Sequence, residues 1–195
     1  MSDASILPGA PFPPLRWDEY AWAGEARIPS WAGFQPRMGA YGAISDDAPS
    51  DGSARLSVTS PDEEGPAPPT PAQAAALRFL LDNDRAVTDA VLRAIFATYP
   101  TLREQYGYDE DEAAELLPAI SSPAELKRLV GFHTIHLLEV EKDGMAYVGI
   151  EGGCSWDEEH GVGVMTHGAR IVELGGADTS FLEWIAQRDA DGTTR

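Results

Sequence analysis

Phe132–Val140 and Met145–Gly153 are runs rich in β-branched, aromatic and aliphatic residues. They read as two strands, along which alternate residues share a face. Glu141-Lys142-Asp143-Gly144 separates them, and Asp-Gly favours a two-residue turn whose central positions both take positive φ. With Asp143-Gly144 as the loop, His133 stands opposite Cys154 and His136 opposite Glu151. One face then carries His133, Ile135, Leu137, Val148, Ile150 and Cys154. The other carries Phe132, Thr134, His136, Leu138, Tyr147 and Glu151. Gly163–Thr166 and Arg170–Leu174 read as a second hairpin around His167-Gly168.

A helical period appears earlier in the chain. Leu77, Leu80, Leu81, Val87, Val91 and Ile95 fall on one stripe, with Thr70 as N-cap and Pro71 at the first helical position. Asp82-Asn83-Asp84 is placed to divide this helix, and Tyr99-Pro100 to end or kink it. Asp109-Glu110-Asp111-Glu112 opens a short helix with its acids at the positive end of the dipole. Ser122-Pro123-Ala124-Glu125 starts another. Asp178 is expected to cap a closing helix through Ile185, with Phe181, Leu182, Trp184 and Ile185 turned inward. Towards the N-terminus, a hairpin around Ala23-Gly24 and a strand at Arg55–Thr59 fit an apolar–polar alternation, and Trp31, Phe34 and Tyr41 read as an aromatic plug.

These elements predict an α+β fold: a mostly antiparallel sheet, with a long helix over 71–98 and the closing helix on one face. Residues 15–188 form the expected single domain. A proline-containing irregular arm (1–14) precedes it, a polar, frayed tail (189–195) follows, and a solvated Pro- and acid-containing linker interrupts it at about 60–70.

Composition narrows the function. The chain has 195 residues and is 43% hydrophobic, enough to bury a core. Its formal charge of −18 disfavours nucleic acid as a partner and would steer a basic protein towards it. One cysteine excludes an internal disulfide. No secretory pattern and no membrane-spanning apolar run is present in the sequence, so a cytoplasmic protein without a membrane partner is expected.

The densest chemistry lies between Val148 and Val164, where glycines, the single cysteine, Trp156 and four acids crowd together. Metal-ligand spacings and a nucleophile elbow are both missing there. The glycines precede a strand rather than a helix, so they form no phosphate cradle. No cofactor, metal or catalytic residue is assigned. The loop Asp157-Glu158-Glu159-His160 is the candidate partner-binding surface, and His136 with Glu151 a candidate polar pair. Alternatives are a small metal-dependent or hydrolytic enzyme using Asp157, Glu159, His160 and His136, or a structural or regulatory module.

Two blocks carry a resemblance. They are Trp22-Ala23-Gly24-Glu25-Ala26-Arg27-Ile28-Pro29-Ser30-Trp31-Ala32-Gly33-Phe34 and Gly152-Gly153-Cys154-Ser155-Trp156-Asp157-Glu158-Glu159-His160-Gly161-Val162-Gly163-Val164. Together they resemble an uncharacterised bacterial family of cytoplasmic α+β domains with a Trp-Asp-x-Glu-His-Gly-x-Gly-Val signature, similar to immunity-type proteins. The resemblance spans Leu15 to Trp184. It implies a protein that neutralises a cognate toxin by binding it, and it assigns no catalytic residues.

Overall fold

A computed structural model describes residues 5–6, 8–37, 48–62 and 65–192. Eight strands form one sheet in sequence order: β1 (Ser5–Ile6), β2 (Leu15–Trp17), β3 (Ala21–Arg27), β4 (Ser53–Thr59), β5 (Val130–Lys142), β6 (Met145–Cys154), β7 (Val162–His167) and β8 (Arg170–Gly175). Every neighbouring pair is antiparallel except β4 and β5, which run parallel from Arg55 opposite Thr134 to Val58 opposite Leu137. A parallel pair needs a crossover. Here it carries α1 (Pro71–Asp82), α2 (Asp84–Tyr106), α3 (Glu110–Leu116) and a 3-10 helix at Pro123–Arg128. The fold is therefore α+β with a mostly antiparallel sheet. Among the described residues no helix is long and apolar enough to cross a membrane.

The crossover is held at its start by Gln73. Thr70 and Gln73 make a reciprocal capping box at the head of α1. The buried Gln73 amide then donates to the carbonyls of Thr59 (2.8 Å) and Leu137 (3.3 Å), where the parallel pairing of β4 with β5 ends. The stretch expected as a solvated linker is tied down in part. Ser60 Oγ donates to the Gly65 carbonyl at 2.6 Å, and Trp22 Nε1 donates to the Ala67 carbonyl at 2.7 Å. The helical run divides at Asn83, as the sequence predicts. Pro100 does not end it, since α2 continues to Tyr106. Tyr99 stacks edge-on against Trp156 at 5.8 Å and donates its hydroxyl to the Pro118 carbonyl, so packing holds the helix across the proline.

Two turns differ from expectation. The N-terminal hairpin closes over Asp18–Tyr20, where Glu19 takes a φ of 84° and Asp18 accepts from the Ala21 N–H at 3.0 Å. Gly24 is instead an interior strand position pressed against Leu15 and Pro13. The β5–β6 hairpin does turn at Asp143-Gly144, with φ of 54° and 77°. Its register then slips between Leu137 and Glu141, and again between Phe132 and Thr134. As a result His136 pairs with Gly149, and Cys154 pairs with Val130 rather than His133. The bulge at His133 also puts Phe132 into the main core, where it meets Trp31 and Phe34 at 5.3 and 5.4 Å. Tyr41 lies outside the described residues.

The sheet is covered on both faces, not one. α1 and α2 pack Leu77, Leu80, Val87, Val91 and Ile95 onto Leu56, Val58, Ile135, Leu137, Val148 and Ile150. A separate cluster of Leu138, Tyr147, Met165, Ile185 and Ala186 seats α4 (Glu183–Ala190) on the opposite face. Residues 177–180 make a 3-10 turn, so the closing helix begins at Glu183 and only Ile185 and Ala186 of it are buried. Phe181 and Trp184, expected inside, are 45% and 55% exposed.

Glycine shapes that second face. Gly149 and Gly153 alternate with Glu151 on β6, and all three point the same way. A Cβ on Gly149 would collide with the Ser180 carbonyl, and one on Gly153 with the Arg37 carbonyl. Gly131, paired with Gly153, is covered likewise by Gln35 and Arg37. Two backbone segments, 35–37 and 176–180, thus lie directly on the sheet, which only a strand without side chains there permits.

Two expectations follow. Gly149→Ala is expected to lower stability by at least about 1–3 kcal/mol, because a packed carbonyl must move to admit the methyl group. Gly65→Ala, where nothing lies within 4 Å, is the control that stays near wild type in urea denaturation. The second concerns α4. Asp189 accepts both Arg170 guanidinium nitrogens (2.9 and 2.5 Å) and the Tyr147 hydroxyl (2.6 Å). These contacts, the Arg170 hydrogen bond foremost, hold its carboxyl down at about 2. A depressed folded-state pKa stabilises above the unfolded value near 4 and ceases to do so as pH falls through the folded one. The wild type should therefore be more stable than Asp189→Asn at pH 6, with the gap closing as pH falls from about 4 towards 2 in thermal melts.

Candidate functional site

The loop after β6 is built around Asp157. Its Oδ2 accepts the Tyr106 hydroxyl at 2.6 Å, and its Oδ1 accepts the His160 N–H at 2.9 Å and lies 3.0 Å from His160 Nδ1. Its own carbonyl accepts the Gly161 N–H at 2.9 Å, and Gly161 turns the chain with a φ of 59°. Burial alone would raise the Asp157 pKa, but the hydrogen bonds from Tyr106 and His160 carry it below the usual carboxylate range. This carboxylate therefore faces inward and fixes the loop. Glu158 and Glu159 are exposed, and the His160 side chain is 71% exposed above Asp157.

Tyr106 and Tyr108 were not singled out by sequence pattern, yet they locate the loop. They stack with ring centres 5.6 Å apart, at the C-terminus of α2 and just beyond Gly107. Tyr108 donates its hydroxyl to the Trp156 carbonyl at 2.9 Å. Burial, then Asp157, raises the phenol pKa of both, so both hydroxyls stay protonated donors at neutral pH. The aromatic pair bracketing the helix-ending Gly107 is the signal that could have found them.

The same contact joins two acidic runs distant in sequence. Tyr108 is followed by Asp109, which caps α3 by accepting the N–H groups of Asp111 and Glu112. Glu112 and Glu158 both act electrostatically on the Tyr108 phenol. Glu112 of α3 and Glu158 of the β6–β7 loop therefore lie within electrostatic range of one tyrosine. Beside them lies a cleft of about 380 Å³, lined by Ile95, Leu102, Tyr106, Trp156, Asp157 and Leu174.

His136 and Glu151 sit apart from this loop, on the second face of the sheet. The register offsets them by two residues, and His136 Nε2 still lies 2.7 Å from Glu151 Oε2. Phe181 lies over the imidazole at 5.4 Å. Glu151 stands where Gly149 and Gly153 leave room between the two crossing segments. The bond to His136 is the main cause lowering its pKa. The structure does not bring His136 to Asp157–His160.

Other residues weighed for chemistry are structural. Ser155 donates its hydroxyl to the Leu116 carbonyl (2.7 Å) and its N–H to the Leu129 carbonyl (2.8 Å). Cys154 is buried, and burial pushes its thiol up to about 12, out of reach of thiolate chemistry at neutral pH. Among the described residues no group of three or more His, Cys, Asp or Glu is placed to hold a metal ion.

The fold and loop thus define an α+β domain with an eight-stranded sheet and an acidic, tyrosine-braced loop at one end of its central hairpin. The chain belongs to the DUF6985 family, a domain of unknown function, whose model matches residues 48–182. The match takes in β4 to β8 and helices α1 to α3, so β1–β3 lie outside it. No curated protein and no solved structure matches the chain.

The hydrogen bonds rank the loop residues. Asp157→Ala leaves a Tyr106 hydroxyl and a backbone N–H without their acceptor and should cost about 1–3 kcal/mol; Tyr106→Phe should cost about 1 kcal/mol. Glu159→Gln should stay within about 0.5 kcal/mol. Urea unfolding followed by tryptophan emission reads all three. Equal effects at Asp157 and Glu159 would contradict an inward, loop-fixing Asp157.

Proposed function

We propose that this protein is an acidic, immunity-type binding protein that neutralises a basic bacterial toxin by direct contact, in the cytoplasm. The observation that carries the reading is the meeting of two acidic runs around Tyr108. Glu112 comes from the first turn of α3, and Glu158 from the β6–β7 loop; Glu110, Asp111 and Glu159 are their neighbours in the two runs. Clustered charge of one sign raises the rate at which an oppositely charged partner arrives, and an aromatic at its centre supplies contact area once the partner docks. The net charge of −18 extends the same field. His160, exposed at the loop's tip, belongs to this surface, whereas Asp157 supports it from beneath. The resemblance of the Trp156–Val164 block to immunity-type domains supports the same reading. An enzymatic use of the loop gains no support from its geometry, since the inward Asp157 carboxylate is taken up by Tyr106 and His160.

The test is surface plasmon resonance between the protein and any basic, toxin-like protein encoded beside it, at low and physiological salt. Glu158→Gln/Glu159→Gln should slow association about three- to tenfold at low salt and flatten its salt dependence. Stability should change by less than about 1 kcal/mol, because exposed charges contribute little to it. An unchanged on-rate and salt slope would remove this loop from the interface.

A further inference from the structure

Along the N-terminal half of α2, the molecule carries a groove of about 650 Å³ between α2, the turn at Pro29–Ala32 and the 3-10 helix at Pro123–Arg128. Its charge runs against the rest of the protein. Arg85, Arg93 and Lys127 line it, against a single lining acid, Asp89. Arg85 and Arg93 are eight residues apart on α2, about 12 Å along the axis, and Asp89 lies midway between them. Among the described residues no ion pair within 4.0 Å engages Arg85, Arg93, Lys127 or Asp89. In a chain with 32 acidic and 14 basic side chains, three cations lining one concavity without a direct carboxylate contact run against the overall composition.

The neighbouring carboxylates of Asp84 and Glu125 keep their charge but are held by neutral donors rather than by the groove cations. Asp84 accepts the N–H groups of Ser30 (2.8 Å) and Arg85 (2.7 Å). Glu125 accepts from the N–H and hydroxyl groups of Ser121 and Ser122 and lies 3.9 Å from Arg128. The groove wall is rigid, because Thr88 accepts the Trp31 Nε1–H at 3.0 Å and bonds Ser30 Oγ at 2.8 Å, locking the turn onto α2. Leu92, Pro29 and Pro123 give it an apolar lining between the cations. The overall negative field fades over roughly 8 Å at physiological salt, so at contact range a ligand meets the groove's own charges, Arg85, Arg93 and Lys127 with Asp89 among them.

We propose that this groove binds a polyanionic small molecule, its anionic oxygens held by the Arg85 and Arg93 forks and by Lys127, with an apolar body against Leu92 and the two prolines. Planar guanidinium groups suit phosphate or carboxylate oxygens, and the volume lies in the range of small-ligand sites. The site is distinct from the toxin-binding surface proposed above and does not depend on it.

The experiment is isothermal titration calorimetry of the full chain with pyrophosphate and, separately, with citrate, at two salt concentrations. Saturable, salt-weakened binding of either probe is expected; preference for pyrophosphate assigns a phosphorylated ligand, and preference for citrate a polycarboxylate. Arg93→Gln and Lys127→Gln should each weaken it about tenfold. Arg103→Gln, which removes the same charge from α2 outside the groove, should leave it unchanged. Circular dichroism confirms that each variant is folded. No saturable heat with either probe at millimolar concentration, or equal weakening by Arg103→Gln, would overturn the proposal.

Discussion

Residues 35–37 and 176–180 lay their backbone straight onto the sheet, and only glycine allows it. Gly131, Gly149 and Gly153 clear the second face of β5 and β6, and the carbonyls of Gln35, Arg37 and Ser180 occupy the space their side chains would take. Much follows from that constraint. The 176–180 crossing sets where the chain enters α4, and so where Ile185 and Ala186 meet Tyr147 and Met165. The 35–37 crossing follows Trp31 and Phe34, whose rings reach Phe132 in the main core. Glu151, the one side chain between Gly149 and Gly153 on that face, is left facing His136.

The loop just beyond β6 is organised by hydrogen bonds rather than by close approach. Asp157 collects the Tyr106 hydroxyl and the His160 N–H, and Tyr108 holds the Trp156 carbonyl. These bonds join α2 to the β6–β7 loop and set two acidic runs beside one another. Function, in the reading proposed here, comes from charge delivered by a rigid frame: the inward carboxylate fixes the loop, and the outward ones meet the partner. The cationic groove beyond α2 gives the same helix a second and oppositely charged surface.

Much of the architecture was legible in the sequence. Asp143-Gly144 identified the central turn, Thr70-Pro71 the head of α1, and Asn83 the break between helices. Register was not legible, because the bulges at His133 and at residues 138–140 have no local signature and depend on what packs above. The N-terminal turn was missed because Glu19, not a glycine, takes the positive φ there. Gly24 was misread as a turn when it relieves contact with Leu15. The glycines of β6 drew attention as possible chemistry, yet they answer to tertiary packing from segments far away in the chain. Of the candidate site, the acidic loop was visible as composition. Its division into one inward and two outward carboxylates was not, since Tyr106 lies 51 residues before Asp157.

The central claim, that α3 and the β6–β7 loop act as one binding surface, is tested most directly by hydrogen–deuterium exchange of the protein alone and with its toxin bound. Protection should appear together in residues 108–112 and 157–160 on binding. Protection confined to the second face of the sheet, with both acidic segments exchanging as in the free protein, would contradict it.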